Sequence, residues 1–408
     1  MRLMIVGLNY APELIGVAVY TTGLARYMAA RGHEVEVLAG QPYYPAWKPF
    51  PGQRGGWQWT DDGGVRVLRS PHYIPANPNG ARRLLHHASF ATAVTMPAIM
   101  RGLRWRPDVV LSIAPSLLAA PVALAAARMA RAKTWLHIQD FEIEAAFATG
   151  LLPDGGAVAR CARAVDHAIM KQFDRVSSIS PEMCAALITG GIAADRVIEF
   201  RNWTDVERVR PTAAVSPYRA EWGIGTPHVA LYSGNIANKQ GIGIVLETAR
   251  LLRHRRDLTF VICGQGPNRA QLESNAAGLS NIRFHDLQPV DRLSELFGLA
   301  TIHLLPQLAG AADLVLPSKL INMLASGRPV VATAAPGTGL AREVDECGLV
   351  VRPGDACAFA GSIVRLMDDP ALATSLGHNA LVRAQSRWSE AAVLGRVERD
   401  LCALSSRY

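Results

Sequence analysis

Three short stretches carry the residues best suited to chemistry: SGNIANKQGIG (233–243), CGQGPNRAQLE (263–273) and LPSKLINMLASGRPVVATAAPGTG (316–339). Each sets glycines and a cation where a run of apolar residues gives way to helix-forming ones. Free backbone N–H groups at a helix start, joined by a lysine, suit a phosphate or diphosphate. Lys239 in the first stretch is placed to meet such a charge, with Asn235 beside it. In the second, Gly264 and Gly266 allow close backbone approach, and Arg269 reads as a solvated helix residue. The third offers Ser318, Lys319 and Asn322, then the turn Gly337-Thr338-Gly339. A helix cap is the plain alternative for Ser318, and an ordinary strand-to-helix loop for the first stretch. Three such turns in series favour a ligand.

A second group of candidates lies nearer the N-terminus. NYAPELIGVAVYTTGLA (9–25) sets Gly16 between a first strand and a first helix. WLHIQDFEIEAA (135–146) gathers His137, Asp140, Glu142 and Glu144 at the end of an apolar strand, a concentration of titratable groups where a substrate would sit. A satisfied structural histidine is the alternative for His137. QPYYPAWKPFPGQRGGWQWTDDGG (41–64) holds three Trp, two Tyr and four Pro. It reads as an irregular, ordered binding loop that includes Tyr43, Tyr44 and Trp47, with a rigid surface flap holding its own small cluster as the alternative.

These groups need strands to aim them. Apolar strand-like runs alternate with helical ones throughout, at LMIVGL (3–8), EVEVLAG (34–40), DVVLSIAP (108–115), TWLHIQD (134–140), DRVSSIS (174–180) and DRVIEF (195–200). After a polar linker at 203–227 the series resumes with HVALYSGN (228–235), LTFVICGQG (258–266), NIRFHDL (281–287), TIHLLPQ (301–307) and PVVATAA (329–335). Alternation of this kind predicts two doubly wound parallel sheets covered by helices, an α/β chain of two Rossmann-like domains. Ligands in such sheets bind at the carboxyl ends of the strands, so the two are expected to share a cleft. The domains are placed at 1–205 and 206–385, followed by a tail helix at 386–408.

Composition narrows the remaining choices. The chain has 408 residues, half of them hydrophobic, enough for two cores. No apolar run reaches the roughly 20 residues of a spanning helix. MRLMIVGLNYAPE (1–13) reads as a first strand instead of a signal peptide, giving a cytoplasmic expectation. Six scattered Cys lack the spacing of a zinc site or disulfide framework. The net charge is +8, and from Gly63 to Pro107 there are seven Arg and no acidic residue. Residues 80–106 read as a helix with an apolar middle and basic ends, suited to an anionic membrane surface. A core helix with solvated Arg ends fits equally, and no nucleic-acid-binding module is present.

The stretches NYAPELIGVAVYT, RGHEVEVLAGQPYYPAW, SPHYIPANPNGARRLLHHASF, WLHIQDFE, RNWTD, YSGNIANKQG, CGQGP and DLVLPSKLINMLASGRPVVATAAPGTGLA span nearly the whole chain. With them the sequence resembles the GT-B glycosyltransferases of family GT4, closest to the colanic-acid-type fucosyltransferase branch. The resemblance implies retaining, metal-independent and cofactor-free transfer of a sugar from a nucleotide donor to an acceptor hydroxyl. It implies a GDP- or UDP-hexose, GDP-fucose by branch, and a lipid-linked saccharide acceptor in exopolysaccharide or capsule synthesis. By position, Gly16 would approach the donor diphosphate, Lys239 would neutralise it, and Gly264 and Gly266 would line the donor site. His137 and Asp140 would lie by the transferred sugar and the acceptor, Tyr43, Tyr44, Trp47 and Glu142 would contact the acceptor, and the 316–339 segment would grip the nucleotide. The tail helix would cross back to the first domain. Two departures stand out: many relatives carry Glu where this chain has Asn322 and Arg where it has Asn235. A non-catalytic subunit of a polysaccharide assembly complex and a sugar-nucleotide epimerase are the competing readings.

Overall fold

The computed structural model describes residues 1–13, 16–44, 46–52, 55–76, 80–141, 156–204, 206, 209–211, 214–234, 236, 241–266, 268–308 and 318–406. It divides into two compact units: Met1–Asn202 with Leu394–Tyr408, and Trp203–Val393.

The first unit is built on β1 (Arg2–Gly7), α1 (Val17–Ala30), β2 (Glu34–Gly40), β3 (Gln58–Asp62), β4 (Val65–Ser70), α2 (Gly80–Arg104), β5 (Val109–Ala114), α3 (Ala120–Ala130), β6 (Lys133–Ile138), β7 (Arg175–Ser178) and β8 (Val197–Glu199). Its eight-stranded sheet runs β3-β4-β2-β1-β5-β6-β7-β8. Every pairing is parallel except β3 with β4. Central strands such as β5, VVLSIA, are apolar at all positions but Ser112 because helices cover both faces, and all six residues are buried. On one face Met4, Val6 and Val110 meet Phe90, Val94 and Ala98 of α2.

The sequence reading made 41–64 a loop, but the structure ends it in a strand. Gly63 and Gly64, with φ of 63° and 90°, close a two-residue hairpin that pairs Asp62 with Val65. Positive φ at both turn positions matches the twist of the flanking strands, and glycine supplies it without strain. β3 is exposed along most of its length, so no apolar alternation advertises it.

The basic 63–107 stretch is partly spent inside the fold. Arg101 of α2 sets Nε 2.7 Å from Glu36 Oε2, Arg66 Nη1 lies 3.0 Å from Glu36 Oε1, and Glu36 is buried. Arg69 donates to the carbonyls of Gly40 and Ala11. Arg82, Arg83, Arg104 and Arg106 stay exposed.

The second unit holds β9 (His228–Ser233), β10 (Leu258–Cys263), β11 (Ile282–His285), β12 (Ile302–Leu305), β13 (Val330–Thr333) and β14 (Gly348–Val351). The sheet order is β11-β10-β9-β12-β13-β14, all parallel. Tyr232, Phe260 and Ile262 pack with Val245, Phe359 and Ile363 in one core cluster. Leu305, Val330 and Ala332 pack with Leu320, Leu324 and Trp388 in another.

Both sheets wind outward from a central pair. In the first, the order reverses between β1 and β5; in the second, between β9 and β12. At such a switch the connections leave in opposite directions and open a crevice at the carboxyl ends of the two strands. The loops that follow β1 and β9 are those that hold Gly16 and the 233–243 stretch.

The last helix, Glu390–Ser405, runs from the second unit into the first. Glu398 anchors it there: His33 Nε2 is 3.1 Å from Oε1, and Arg31 Nε donates at 3.3 Å. The other ring nitrogen of His33 is 3.3 Å from the ammonium of Met1.

Candidate donor and acceptor sites

In the second unit, the turns after β9 and β10 are stitched together by backbone. Gly234 N donates to Cys263 O at 3.0 Å, and Ile236 N to Gln265 O at 2.8 Å. A Cβ on Gly264 would sit 2.0 Å from Gly234 O, so only glycine fits there. The close approach that the sequence led us to expect at Gly264 is therefore made, in the first instance, by the neighbouring turn. Arg269, read from sequence as a solvated helix residue, staples the same turn instead. Its Nη1 donates to Gly264 O at 2.8 Å, and the guanidinium pairs with Glu273 and Asp286.

Lys319 reaches this place from the helix Ser318–Ala325. Its Nζ lies 4.4 Å over the ring of Tyr232, near the end of β9, and 3.3 Å from the Tyr232 hydroxyl. Its Cδ would be 3.4 Å from a Cβ on Gly234. Burial pulls its pKa down to about 8. Among the described residues no carboxylate lies within ion-pair distance of it. Asn322, half-buried, stands three residues along the same helix and so on the same face. Gln307 and Thr333 tie the exits of β12 and β13, with Gln307 N donating to Thr333 Oγ1 at 2.6 Å.

Beyond β13, Gly337 takes φ 79° and Thr338 caps the helix Gly339–Val344. The Thr338 hydroxyl accepts from Ala341 N at 3.2 Å and donates to Ala335 O at 2.8 Å. Arg342 Nη1 donates to Gly337 O at 2.5 Å, and Gly339 is buried. This turn is therefore held by its own residues. Asn235 and Lys239 lie outside the described residues, and of Ser318 only its place at the start of the helix is described.

In the first unit Gly16 precedes α1 with φ 69° and ψ −149°, a conformation that essentially only glycine adopts. A Cβ there would stand 3.8 Å from the Tyr44 ring, an ordinary contact distance, so backbone conformation and not crowding selects glycine. Glu13, which sequence reasoning passed over, joins this loop to the aromatic one. Its buried carboxylate accepts from Tyr43 N at 2.8 Å, Tyr44 N at 2.9 Å and Asn9 Nδ2 at 2.9 Å. Its only sequence signal is an acid in an otherwise apolar strand-end turn.

Tyr43, Tyr44 and Trp47 come together. Tyr43 stacks edge-on with Tyr44 at 6.3 Å and lies 5.1 Å from Trp47. Two further rings enter the cluster, His86 at 4.6 Å and His72 at 5.6 Å from Tyr43. Burial, together with the neighbouring His86, drops the His72 pKa to about 4, so its ring is neutral near pH 7.

His137 is buried in β6. Its Nδ1 lies 2.9 Å from Ser177 Oγ, its Nε2 2.9 Å from Gln139 Nε2, and its ring 4.3 Å from Phe200. Burial lowers its pKa to about 3 against a small opposing hydrogen bond from Ser177. Gln139 in turn exchanges two 2.9 Å bonds with Asn202. The ring thus touches protein on every side, and what it supports is the strand-end pair Gln139 and Asn202. Asp140 is exposed at the same strand end. Glu142 falls outside the described residues. No cluster of three metal-ligating side chains exists among the described residues, and no described helix is long and apolar enough to cross a membrane.

Two α/β units, each a largely or wholly parallel sheet with a switch point whose first loop holds a glycine of positive φ, define the class: this is a GT-B glycosyltransferase fold. The chain belongs to the GT4-type, group 1 glycosyltransferases. Residues 16–203 match the glycosyl transferase 4-like domain and 227–369 the group 1 glycosyl transferase domain. Among curated proteins it is 40% identical over 348 residues to WcaI of Escherichia coli (strain K12), named for colanic acid biosynthesis, covering 83% of this chain and 85% of that one. HepE of Anabaena, solved in complex with UDP, superposes with a TM-score of 0.66 at 16% identity, over 99% of this chain and 100% of that one. Sucrose-phosphate synthase from Thermosynechococcus elongatus gives 0.65 at 19%, over 98% and 99%. At these identities the two structures speak for the fold.

Proposed function

We propose that this glycosyltransferase moves a hexose from a nucleotide donor to a lipid-linked saccharide in exopolysaccharide synthesis of the colanic-acid type, with retention at the anomeric carbon. The observation that carries the donor assignment is Lys319: a cation with no carboxylate at ion-pair distance among the described residues, held by a tyrosine ring beside the Gly234 turn at the β9 switch point. A half-buried cation in that setting gains most from a diphosphate, which supplies the charge that burial denies it. Lys239 and Asn235 add to the same pocket from the 233–243 turn. Asn322 hydrogen-bonds ribose hydroxyls, and the turns at Gly264, Gly266, Ser318 and Gly337-Thr338-Gly339 frame the nucleotide.

Gly16 brings bare backbone toward the diphosphate. Tyr43, Tyr44, Trp47 and Glu142 receive the acceptor sugar, with Asp140 beside the transferred one. His137 is a positioning residue that holds Gln139 and Asn202 from below. In the step itself the anomeric C–O bond to the diphosphate breaks and a C–O bond to the acceptor oxygen forms on the same face. The acceptor proton passes to the departing phosphate oxygen. The protein contributes orientation and charge stabilisation. GDP-fucose is the donor suggested by the colanic-acid resemblance, and UDP-sugars are suggested by the UDP in HepE. The protein works at the inner face of the plasma membrane, with residues 80–106 against anionic headgroups.

Calorimetric titration with GDP-fucose, GDP-mannose, UDP-glucose and UDP-galactose tests the reading, with Lys239→Ala and Lys319→Ala as controls. Saturable binding of one donor, weakened about tenfold or more by each substitution, is the expected result. Binding without turnover in the presence of a lipid-linked saccharide would support the assembly-subunit reading, and release of an altered nucleotide sugar from donor alone the epimerase reading.

A further inference from the structure

Glu13 and Glu36 are both buried acids of the first unit, 3% and 1% exposed, and they are spent differently. Glu36 takes the guanidinium groups of Arg66 and Arg101. Glu13 takes backbone. One oxygen, Oε1, accepts from two successive N–H groups, Tyr43 at 2.8 Å and Tyr44 at 2.9 Å. The other accepts from Asn9 Nδ2 at 2.9 Å, and the same Asn9 nitrogen lies 3.4 Å from the Tyr43 hydroxyl. A carboxylate that accepts from neighbouring peptides fixes the direction of both peptide planes, and its charge strengthens each bond.

Those two peptides form the base of the aromatic loop. Lys48 N donates to Tyr43 O at 3.3 Å and Phe50 N to Pro42 O at 3.1 Å, so the chain returns to where the loop began. Trp47 lies inside this closure with φ 52°, a left-handed backbone that bulky side chains rarely adopt. Such a conformation persists only where its surroundings over-determine it, and it is met most at ligand sites. Tyr43 is buried, while Tyr44 and Trp47 are half-buried, their rings 6.5 Å apart and edge to face. The Tyr44 ring comes up to the Gly16 turn, where a Cβ would stand 3.8 Å from it. Arg69, also buried, fastens the other side of the same junction by donating to Ala11 O and Gly40 O at the exits of β1 and β2. Burial disfavours its charge, and Glu13 is foremost among the neighbours that offset this.

Resting on the reading that these rings receive the acceptor sugar, we propose that Glu13 is the positioning residue of the acceptor platform. It orients the Tyr43 and Tyr44 peptides so that the rings of Tyr44 and Trp47 face one sugar together. A carboxylate that only stabilised the first unit would act as Glu36 does and leave the rings where they are. One that only balanced Arg69 would need its charge and not its reach.

Reach and charge are separable by substitution. Glu13→Asp keeps the charge but withdraws the oxygens by about 1.5 Å, and Glu13→Gln keeps an acceptor for both N–H groups without the charge. The full chain is labelled with 5-fluorotryptophan, and Trp47→Phe identifies the Trp47 fluorine resonance. The probes are methyl β-D-glucoside, methyl β-D-galactoside and methyl α-L-fucoside. In the parent at least one of them should shift that resonance saturably. Glu13→Asp should move or broaden it without sugar and weaken the saturable response roughly tenfold or more, whereas Glu13→Gln should stay within about threefold of the parent. Asn9→Ala frees the other carboxylate oxygen and should move the resonance the same way to a smaller extent, which keeps the clamp testable should Glu13→Asp not fold. Glu36→Gln, matched in burial, should lower stability and leave the Trp47 signal and its sugar response as in the parent. An unchanged signal in Glu13→Asp and Asn9→Ala, the reverse order of Asp and Gln, or a parent that answers to none of the glycosides would overturn the proposal. Transfer from a nucleotide sugar to a lipid-linked saccharide is assayed on the same samples. Transfer with a Trp47 indifferent to Glu13 keeps the glycosyl-transfer reading and loses the clamp; a sugar-responsive, Glu13-dependent Trp47 without transfer keeps the clamp and loses that reading.

Discussion

Lys319 Nζ sits 4.4 Å above the Tyr232 ring and 3.3 Å from its hydroxyl. The ring offers a cation some attraction but no neutralising charge, and burial leaves the lysine with a pKa of about 8. Its charged form is thus disfavoured in the folded chain relative to the unfolded one, where lysine titrates near 10.5. Between about pH 8 and 10.5 the unfolded state holds more protons, so this group makes stability rise with pH across that window.

Lys319→Met is expected to raise stability at pH 7 by about 1–3 kcal/mol while weakening donor binding at least tenfold. Urea denaturation and calorimetry check the two halves. In the unsubstituted protein donor affinity should fall as pH rises from 7 to 9, and at pH 8.5 donor binding should take up protons, visible as a buffer-dependent heat. A donor affinity flat across that range would remove Lys319 from the diphosphate site.

Gly264→Ala puts a Cβ where Gly234 O already lies, 2.0 Å away. Neither backbone can yield without breaking the bonds that join the two turns. We expect a loss of roughly 3 kcal/mol or more in the second unit, with nucleotide binding lost alongside. Gly361→Ala, in the helix Ala356–Asp368 with open space at its Cβ, serves as the matched control. It should gain about 0.5–1 kcal/mol.

His137, with a pKa near 3, stays neutral throughout the working range. The pH–rate profile should therefore show no limb that disappears on His137→Asn. That substitution instead lowers kcat by loosening Gln139 and Asn202, leaving the shape of the profile intact. A limb near pH 6.5 lost in the variant would make His137 an acid–base group after all.

Glu398 is pushed up by burial, but hydrogen bonds from His33 and Arg31 outweigh this and leave its carboxyl below the ordinary value. A depressed carboxylate stabilises above its unfolded pKa and loses that contribution as pH falls through the folded one. Glu398→Gln should cost about 1–2 kcal/mol at pH 7, and the gap from the parent should close below about pH 4. Equilibrium unfolding at the two pH values measures it.

Much of the fold was legible because a parallel strand covered on both faces must be apolar along its length. VVLSIA and LTFVIC announce themselves for that reason. β3 did not, because an exposed antiparallel edge strand carries no such run; the Asp-Asp-Gly-Gly turn beside it was the signal available. The site was legible as residue types at strand ends, and less so as partnerships. Nothing in the spacing tells that Glu13 binds the backbone of Tyr43 and Tyr44, since that bond joins loops from two different strands. The pairing of Lys319 with Tyr232 likewise bridges 87 residues and depends on β9 and β12 being neighbours. His137 shows the opposite case: a histidine followed by carboxylates looks reactive in sequence, yet β6 is covered on both faces, so its side chain is buried whichever face it takes.

The chain leaves the first unit after Asn202 and re-enters it at Leu394. On a ribosome adding about 5–20 residues each second, the first unit would wait roughly ten to forty seconds for its closing helix. During that interval Arg31 and His33 have no Glu398, and the seat of Leu394, Leu401 and Leu404 stands open to water or to chaperones. The second unit, continuous in sequence, carries no such delay. Birth order and completion order therefore cross: the domain begun first must wait for a helix that is made only after the whole of the second.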